Sequence, residues 1–208
     1  MSILVPFQSS EIELIERKSR FIGNIWIVES ETEARERIAE TAAKHYSASH
    51  GVYAYDIKSE NASRFSDAGE PKGTAGMPVY EVFRREDITN YCCVVTRYFG
   101  GILLGAGGLI RAYSSTASEA LAAAGVAELR PYITIAILCE YTYFDIVRAF
   151  LRDYEHTVID TEYGADVLYS ICISEEDVES VREGIVNLSA GRAEIMETGI
   201  ELKPYRIK

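Results

Sequence analysis

A glycine-rich segment runs from Arg97 to Arg111, with glycines at positions 100, 101, 105, 107 and 108. It follows an apolar run typical of a buried strand and precedes a helical pattern. The free backbone N–H groups at a helix start can bind an anion, and glycine lets a phosphate or carboxylate approach them closely. The arginines at its two ends could add bidentate contacts. The residues alone leave two readings open, an anion-binding loop or a loop that packs tightly on a sheet.

The segment matches neither of the common nucleotide-binding patterns. A P-loop requires lysine after its last glycine, but Gly100 and Gly105 are followed by Ala106. A dinucleotide-binding fingerprint that began at Gly105 would need a glycine where Ile110 stands. Nucleotide binding of these two kinds is therefore not predicted.

A second segment, Phe65–Pro78, is dense in glycine and proline and carries Asp67 and Glu70. Such a loop is expected to have a fixed shape. Its two carboxylates could bind a cation or serve as acid and base. They could equally cap turns or pair with arginine, for which Arg97 and Arg111 are natural partners. Both readings stay open at this stage.

The histidines and cysteines do not define a further site. His45 and His50 could join Asp67 around a metal ion, but their spacing matches no common ligand pattern. The four cysteines lie in apolar runs without a C-x-x-C pair, so buried reduced thiols are expected. Adjacent Cys92 and Cys93 should point to opposite faces of one strand. We predict no metal, no cofactor and no catalytic triad.

Composition restricts the functional classes. The chain has 208 residues, of which 48% are hydrophobic and 25% charged, as in ordinary globular proteins. A net charge of −11 argues against non-specific coating of nucleic acid, but it allows RNA contact through a local basic patch. No secretory signal and no apolar run of about 20 residues is found, so membrane association is not predicted. The expected location is the cytoplasm, and the oligomeric state is left open.

The elements that must hold these segments follow from the apolar periodicity. Alternating residues predict strands over Glu11–Ser19 and Arg20–Val28, arranged as a hairpin. Ser30 and Glu33 form a capping box for a helix that reaches Tyr46. Further predicted elements are a strand over Gly51–Ile57, a helix from an N-cap at Thr74 to Arg85, a strand over Tyr91–Tyr98 and a helix over Leu109–Ala124 that ends at Gly125.

The chain after Pro131 has the order β-α-β-β-α-β, which is that of a ferredoxin-like domain. The predicted elements are strands over Tyr132–Cys139, His156–Tyr163, Asp166–Ile173 and Ala193–Lys203, with helices over Tyr143–Tyr154 and from Ser174 onward. The fold class is therefore α+β, with an N-terminal domain over residues 1–128 and a C-terminal domain over residues 129–208.

These segments resemble the IMPACT family, and the whole chain resembles its bacterial YigZ branch. The resemblance begins at Lys18–Ile22 and includes His45 and His50. It is strongest over Phe65–Pro78 and over Arg97–Tyr113, which reads RYFGGILLGAGGLIRAY. Residues 1–125 carry it, while the remainder agrees in length and element order.

The resemblance implies a first domain similar to domain two of small-subunit ribosomal protein five. It implies a second domain similar to domain five of elongation factor G. Two such modules imply contact with RNA, the ribosome or a translation-regulatory protein. The eukaryotic members regulate translation by competing for a partner of a stress kinase, partly through an extra N-terminal domain that is not found in these 208 residues. Some bacterial members carry a proline-dipeptidase label, which no set of metal-binding carboxylates and histidines supports here.

The main functional hypothesis is a non-enzymatic regulator or binding module associated with translation. Arg97, Arg111, Lys72 and the glycine amides would receive an RNA phosphate or an acidic partner surface. Tyr98 and Tyr113 would stack or hydrogen-bond beside them. The predicted binding residues are Asp67, Glu70, Lys72, Thr74, Arg97, Tyr98, Gly100, Gly101, Gly105, Gly107, Gly108, Arg111 and Tyr113.

Two alternatives remain. In the first, the protein is an enzyme acting on a small phosphorylated or carboxylated compound in a cleft formed by Asp67, Glu70 and Arg97, with His50 as a helper. In the second, it is a structural or protein-interaction module whose glycines serve packing alone. A deep pocket on which the carboxylates and Arg97 converge would favour the enzyme, and a shallow basic face would favour the binding module.

Overall fold

The computed structural model describes residues 2–208, and Met1 lies outside the described part. The chain divides into two units. The first holds the chain up to Glu128 together with Pro204–Lys208, and the second holds Leu129–Lys203. Helices and two β-sheets are combined within the described residues, so the predicted α+β class is confirmed. The division into domains 1–128 and 129–208 stays a prediction.

The first unit contains a five-stranded sheet with β6 at its centre. In chain order the elements are β1 (Ile3–Pro6), β2 (Ser10–Glu16), β3 (Ser19–Ile27), α1 (Glu31–Lys44), β4 (His50–Ile57), β5 (Ala62–Ser66), α2 (Gly76–Arg85), β6 (Tyr91–Tyr98) and α3 (Gly105–Ala124). The sheet order is β2-β3-β6-β4-β5, and each neighbouring pair is antiparallel. The glycine-rich segment therefore leaves directly from the most buried strand of the unit.

The alternating side chains of β6 give this sheet two buried faces. Cys93 and Val95 pack with residues of α2 and α3, whereas Cys92 and Val94 pack with residues of α1. The predicted opposite orientation of Cys92 and Cys93 is thus confirmed. All four cysteines are free and buried, and burial raises the pKa of the Cys92 thiol to about 12. They behave as the apolar core residues that the sequence predicted.

Two helix ends agree with the sequence-based prediction. The Glu33 N–H donates to the Ser30 hydroxyl oxygen over 3.2 Å at the start of α1. The Glu33 carboxylate in turn accepts from the N–H of Glu29. Gly125, with a φ of 72°, terminates α3 as expected for a C-terminal glycine.

Two helix starts differ from the prediction. Helix α2 follows Ala75, and the Thr74 hydroxyl does not cap it because that hydroxyl donates to the Pro71 carbonyl over 2.7 Å. Helix α3 begins at Gly105, four residues before the predicted Leu109. Its first turn consists of glycine and alanine, which show no apolar periodicity and have no large side chain to reveal a buried face.

The second unit contains the predicted β-α-β-β-α-β order. The elements are β7 (Val126–Cys139), α4 (Tyr141–Leu151), β8 (His156–Tyr163), β9 (Val167–Ser174), α5 (Glu175–Leu188) and β10 (Glu194–Arg206). The start of β7 and the end of β10 belong to the first unit. The strand order β10-β7-β9-β8 is that of a ferredoxin-like sheet. Phe144 and Val147 of α4 and Val181 of α5 pack on one face of that sheet. Among residues 2–208, no helix combines the length and the apolar character needed to cross a bilayer.

Candidate functional site: a glycine-rich face above a buried ion pair

A buried ion pair between Glu70 and Arg97 lies beneath the glycine-rich segment. The Nη1 atom of Arg97 donates to Oε1 of Glu70 over 2.6 Å, and the two side chains are only 6% and 3% exposed. Arg97 lies near the end of β6, and Glu70 lies in the loop between β5 and α2. Charged groups withdrawn from water need a partner to offset the loss of hydration. The ion pair therefore fixes that loop to the central strand.

Two more side chains complete this network. The Tyr113 hydroxyl of α3 donates to the same Glu70 oxygen over 2.8 Å. The Ser19 hydroxyl oxygen, at the start of β3, accepts from Arg97 Nη2 over 3.4 Å and from the Gly100 N–H over 3.1 Å. Burial and then the hydrogen bond to Glu70 raise the pKa of Tyr113 far above its ordinary value, so its hydroxyl remains a donor. The network joins β3, β6, α3 and the loop before α2.

Arg97 and Tyr113 are not accessible to a partner, in contrast to the role expected of them. The Arg97 guanidinium carbon lies 5.4 Å from the ring centroid of Phe21 and 5.5 Å from that of Phe99. Its Nε atom is buried and has no hydrogen-bond partner among residues 2–208. Tyr113 is 0% exposed. Both side chains therefore lie beneath the exposed surface and cannot contact a partner directly.

Asp67 caps helix α2 from a distance along the chain. Its Oδ1 accepts from the N–H groups of Ala75 and Gly76 over 3.0 and 2.9 Å, and its Oδ2 accepts from that of Gly73 over 2.8 Å. Burial opposes ionisation of the carboxyl group, but these three hydrogen bonds outweigh it and lower the pKa of Asp67. Gly76 packs so tightly that a Cβ there would lie 2.6 Å from the Ser66 carbonyl carbon. Asp67 is therefore committed to holding the loop and the helix together.

The two histidines also have structural partners. His50 Nδ1 donates to the Ala68 carbonyl over 2.9 Å, and its Nε2 lies 3.9 Å from Glu70 Oε1. His45 Nδ1 lies 2.9 Å from the Tyr98 hydroxyl. No group of three or more histidine, cysteine, aspartate or glutamate side chains is arranged to hold a metal ion within residues 2–208. The geometry gives no support to a metal site formed by His45, His50 and Asp67.

The loop between β6 and α3 exposes apolar side chains. Phe99 and Ile102 are exposed, and Leu103 is 82% exposed. The base of the loop is fixed, because a Cβ at Gly100 would overlap the backbone of Lys18. A loop that is tightly held at its base and apolar at its tip is typical of a binding surface.

A groove of about 340 Å³ is lined by residues of β2, of the β2–β3 turn and of α3, and by the residue before α3, including Arg17, Leu104, Gly108 and Arg111. Arg111 is exposed, and no ion pair of its guanidinium is present among residues 2–208. Helix α3 has neither a side-chain N-cap nor an acidic residue in its first turn. The groove thus combines a free cation with the positive end of a helix.

Arg17 and Lys18 form the turn between β2 and β3, and sequence reasoning did not assign them to the site. Their φ angles are 44° and 67°, in the left-handed region that disfavours residues with a Cβ. Both side chains are exposed, and Arg17 has a long ion pair of 3.9 Å with Glu16. Asn-Gly is the usual choice for such a turn. The sequence prediction was wrong here, because it placed Arg17 and Lys18 inside the first strand, Glu11–Ser19, whereas β2 ends at Glu16 and β3 begins at Ser19.

The remaining predicted residues lie in several environments. Lys72 is exposed in the loop before α2, and Thr74 is buried there. Tyr98 is half-buried and lies under the guanidinium of Arg20, 5.4 Å from ring centroid to Cζ. The exposed or half-buried glycines of the segment are Gly100, Gly101, Gly105, Gly107 and Gly108.

Together these features define a class of two-unit α+β protein with an exposed glycine-rich loop above a buried glutamate–arginine pair. The sequence profile of the Impact N-terminal domain matches residues 17–121, and that of a domain of unknown function, DUF1949, matches residues 137–192. The chain belongs to the IMPACT family, as the sequence resemblance predicted.

Relatives of similar length support this assignment. The IMPACT family member YvyE of Bacillus subtilis is 36% identical over 191 residues, which cover 91% of this chain and 88% of that protein. YigZ of Escherichia coli is 29% identical, with coverage of 94% and 97%. A crystal structure described as a hypothetical protein has 28% sequence identity and a TM-score of 0.59, and the match covers 95% of this chain and 98% of that one.

Proposed function

We propose that this protein is a non-enzymatic binding module associated with translation, which contacts RNA of the ribosome in the cytoplasm through its glycine-rich face. The glycine-rich face consists of Arg17, Lys18, Arg111 and the loop of residues 99–104. Lys72 supplies a further exposed cation in the first unit. A translation-regulatory protein with an acidic surface is the alternative partner, and it is an outcome of the test below.

The conformation of the Arg17-Lys18 turn is the observation that carries the proposal. A left-handed conformation costs a residue with a Cβ about 1–2 kcal/mol. Two consecutive residues adopt it here, and both are basic and exposed. Residues held in a strained conformation cluster at functional sites, where the side chain serves a role that a better turn former could not provide. Presentation of positive charge is such a function.

The other parts of the face suit a phosphate backbone and unpaired bases. Arg111 can pair with a phosphate, and the free N–H groups at the start of α3 favour the same charge. The exposed ring of Phe99 can stack on a base, in place of the buried Tyr113. The overall charge of −11 then restricts RNA to this local face.

Family membership supplies the link with translation. The resemblance to the IMPACT family implies modules of the translation-factor type, and its eukaryotic members regulate translation. A surface of cations and apolar tips on such a module is consistent with RNA contact.

The geometry weighs against the enzyme hypothesis for Asp67, Glu70 and Arg97. The three side chains do not converge on an open cleft, because Asp67 is bound to backbone N–H groups and the other two are buried with each other. A substrate would have to break a buried ion pair to reach them, which is costly. Because these three side chains do not converge on a cleft, the criterion set in the sequence analysis favours the binding module.

Ribosome co-sedimentation from cell lysate tests the proposal. We expect the protein to travel with ribosomes or one subunit at low salt, and to be released by high salt or by ribonuclease treatment. Binding that survives ribonuclease would identify a protein partner. Absence from the ribosomal fractions at low salt would contradict the proposal.

A further inference from the structure

A separate pocket of about 260 Å³ lies in the first unit, at the opposite end of β6 from the glycine-rich face. Tyr91, the first residue of β6, contributes to its wall, as do Asp56 of β4 and Ser63 of β5. The cations Lys58 and Arg84 and the acid Asp87 also line it. None of the functions considered above uses these residues.

The hydroxyl of Tyr91, a residue that lines this pocket, is an unsatisfied hydrogen-bonding group. The residue is 0% exposed, and its ring stacks on Phe83 at a centroid distance of 3.8 Å. Its hydroxyl oxygen is buried and has no hydrogen-bond partner among residues 2–208. Burial of an unsatisfied hydroxyl is costly, so such groups usually meet a bound water or a ligand.

The strand register places Tyr91 in a row of polar residues. Asp56 lies directly opposite Tyr91 in the β4–β6 pair and directly opposite Ser63 in the β4–β5 pair. Directly opposed residues of antiparallel strands share one face of the sheet, so the three side chains form a hydroxyl–carboxylate–hydroxyl row. Thr89 is a fourth polar residue at this place. Its hydroxyl donates to Asp56 Oδ1 over 2.6 Å and so occupies one of the two carboxylate oxygens.

The size and chemistry of the pocket indicate the class of ligand. At about 30 Å³ for each water, its volume corresponds to roughly eight or nine waters, and it lies just below the range for drug-sized ligands. The two cations of the lining offset its two acids, so the pocket wall carries no net charge and favours a neutral ligand over an ion. A neutral molecule with adjacent hydroxyl groups can donate to Asp56 and exchange hydrogen bonds with Tyr91 and Ser63.

We infer that this pocket binds adjacent hydroxyl groups of a small sugar or polyol of about pentose size. Tyr91 and Asp56 are the central contacts, and Ser63 is a peripheral one. The inference does not depend on the glycine-rich face, since the two sites lie at opposite ends of β6.

Titration of the ¹⁵N-labelled protein with D-ribose and with myo-inositol, followed by NMR, tests this inference. We expect saturable shifts confined to the ends of β4, β5 and β6 that form the pocket. Tyr91→Phe keeps the ring stacking. It should raise the dissociation constant of the probe about fivefold, the usual effect of one lost hydrogen bond. Tyr169→Phe, a buried tyrosine of the second unit, should leave it unchanged.

A second variant protects the test against misfolding of the first. Ser63 is exposed, so Ser63→Ala should fold and weaken binding about threefold. If neither probe gives saturable shifts in the wild type, the pocket holds water alone and the inference fails. It also fails if saturable shifts occur but both variants bind as the wild type does.

Discussion

Arg97 Nη1 and Glu70 Oε1 lie 2.6 Å apart in the interior of the first unit and connect residues separated by 27 positions in the chain. A basic residue beside a glycine-rich loop suggests a surface contact, yet this one is withdrawn from solvent. The pair, together with the Tyr113 hydroxyl, forms the polar base on which the exposed loop rests.

Removal of one member of this pair should destabilise the first unit strongly. Arg97→Ala leaves the Glu70 carboxylate buried without a cation, at a cost of about 3–5 kcal/mol in the free energy of unfolding. Arg111→Ala, at an exposed and unpaired position, should change it by less than about 0.5 kcal/mol. Urea unfolding monitored by circular dichroism measures both. Equal effects would show that Arg97 is not held as the structure describes.

Tyr113→Phe should cost less, because it removes one donor and keeps the ring in its edge contact with Phe21. The loss of the hydrogen bond to the Glu70 carboxylate predicts a decrease of about 1–2 kcal/mol. In the background of Arg97→Ala the same substitution should have a different effect, since both groups share one oxygen of Glu70. A double-mutant cycle in urea measures the coupling, and strict additivity would contradict a shared network.

Much of the architecture could be predicted from the sequence because it depends on local patterns. The hairpin of β2 and β3, the opposite faces of Cys92 and Cys93, and the order of the second unit all follow from periodicity. The short edge strand β5 and the glycine-containing first turn of α3 could not be predicted, since neither has a local apolar pattern. The burial of Arg97 depends on Glu70, a partner that only the fold brings near.

The site itself was predicted less completely than the fold. Pairing of a carboxylate of residues 65–78 with Arg97 was one of two readings that the sequence left open, because composition cannot distinguish a carboxylate that binds a partner from one that holds a loop. The structural role of Asp67 becomes visible only from the three backbone N–H groups that donate to it, the farthest of which is nine residues away in the chain. Arg17 and Lys18 are visible in the sequence, but their strained turn is not.

Asp67 should make stability depend on pH. Its pKa is lowered in the folded state, so its contribution is complete above the unfolded value of about 4 and is lost as the pH falls through the folded value. Asp67→Ala should therefore cost about 1–2 kcal/mol at neutral pH, as for the loss of a helix cap. The difference in the free energy of unfolding between this variant and the wild type should become smaller below about pH 4.

Urea unfolding at several pH values measures this effect, with Glu36→Gln of the exposed side of α1 as a control of equal charge change. The control should show no such narrowing. If the difference in the free energy of unfolding between Asp67→Ala and the wild type stays constant into the acid range, the hydrogen bonds of Asp67 do not depend on its ionisation.

The strained turn predicts opposite changes in stability and binding. Replacement of Arg17 by asparagine and Lys18 by glycine gives the residues that such a turn prefers, and should raise the free energy of unfolding by about 1 kcal/mol. The same variant should bind ribosomes more weakly. The Arg17→Gln, Lys18→Gln variant removes the charges and keeps the strain, so it should lose binding without the gain in stability. If the first variant binds normally, the turn has no part in the interface.

The salt dependence of RNA binding tests the central claim most directly. We would measure the affinity for a fluorescent oligouridylate over a range of salt concentrations, for wild type and for the Arg17→Gln, Lys18→Gln, Arg111→Gln variant. A control with the same charge change carries Arg35→Gln, Arg64→Gln and Arg152→Gln at exposed positions elsewhere. With about 0.7 counterions released for each phosphate contact, the slope of log K against log salt should fall by roughly 2 in the first variant and stay near the wild-type value in the control. Equal slopes in all three proteins, or no binding by the wild type, would contradict RNA recognition by the glycine-rich face.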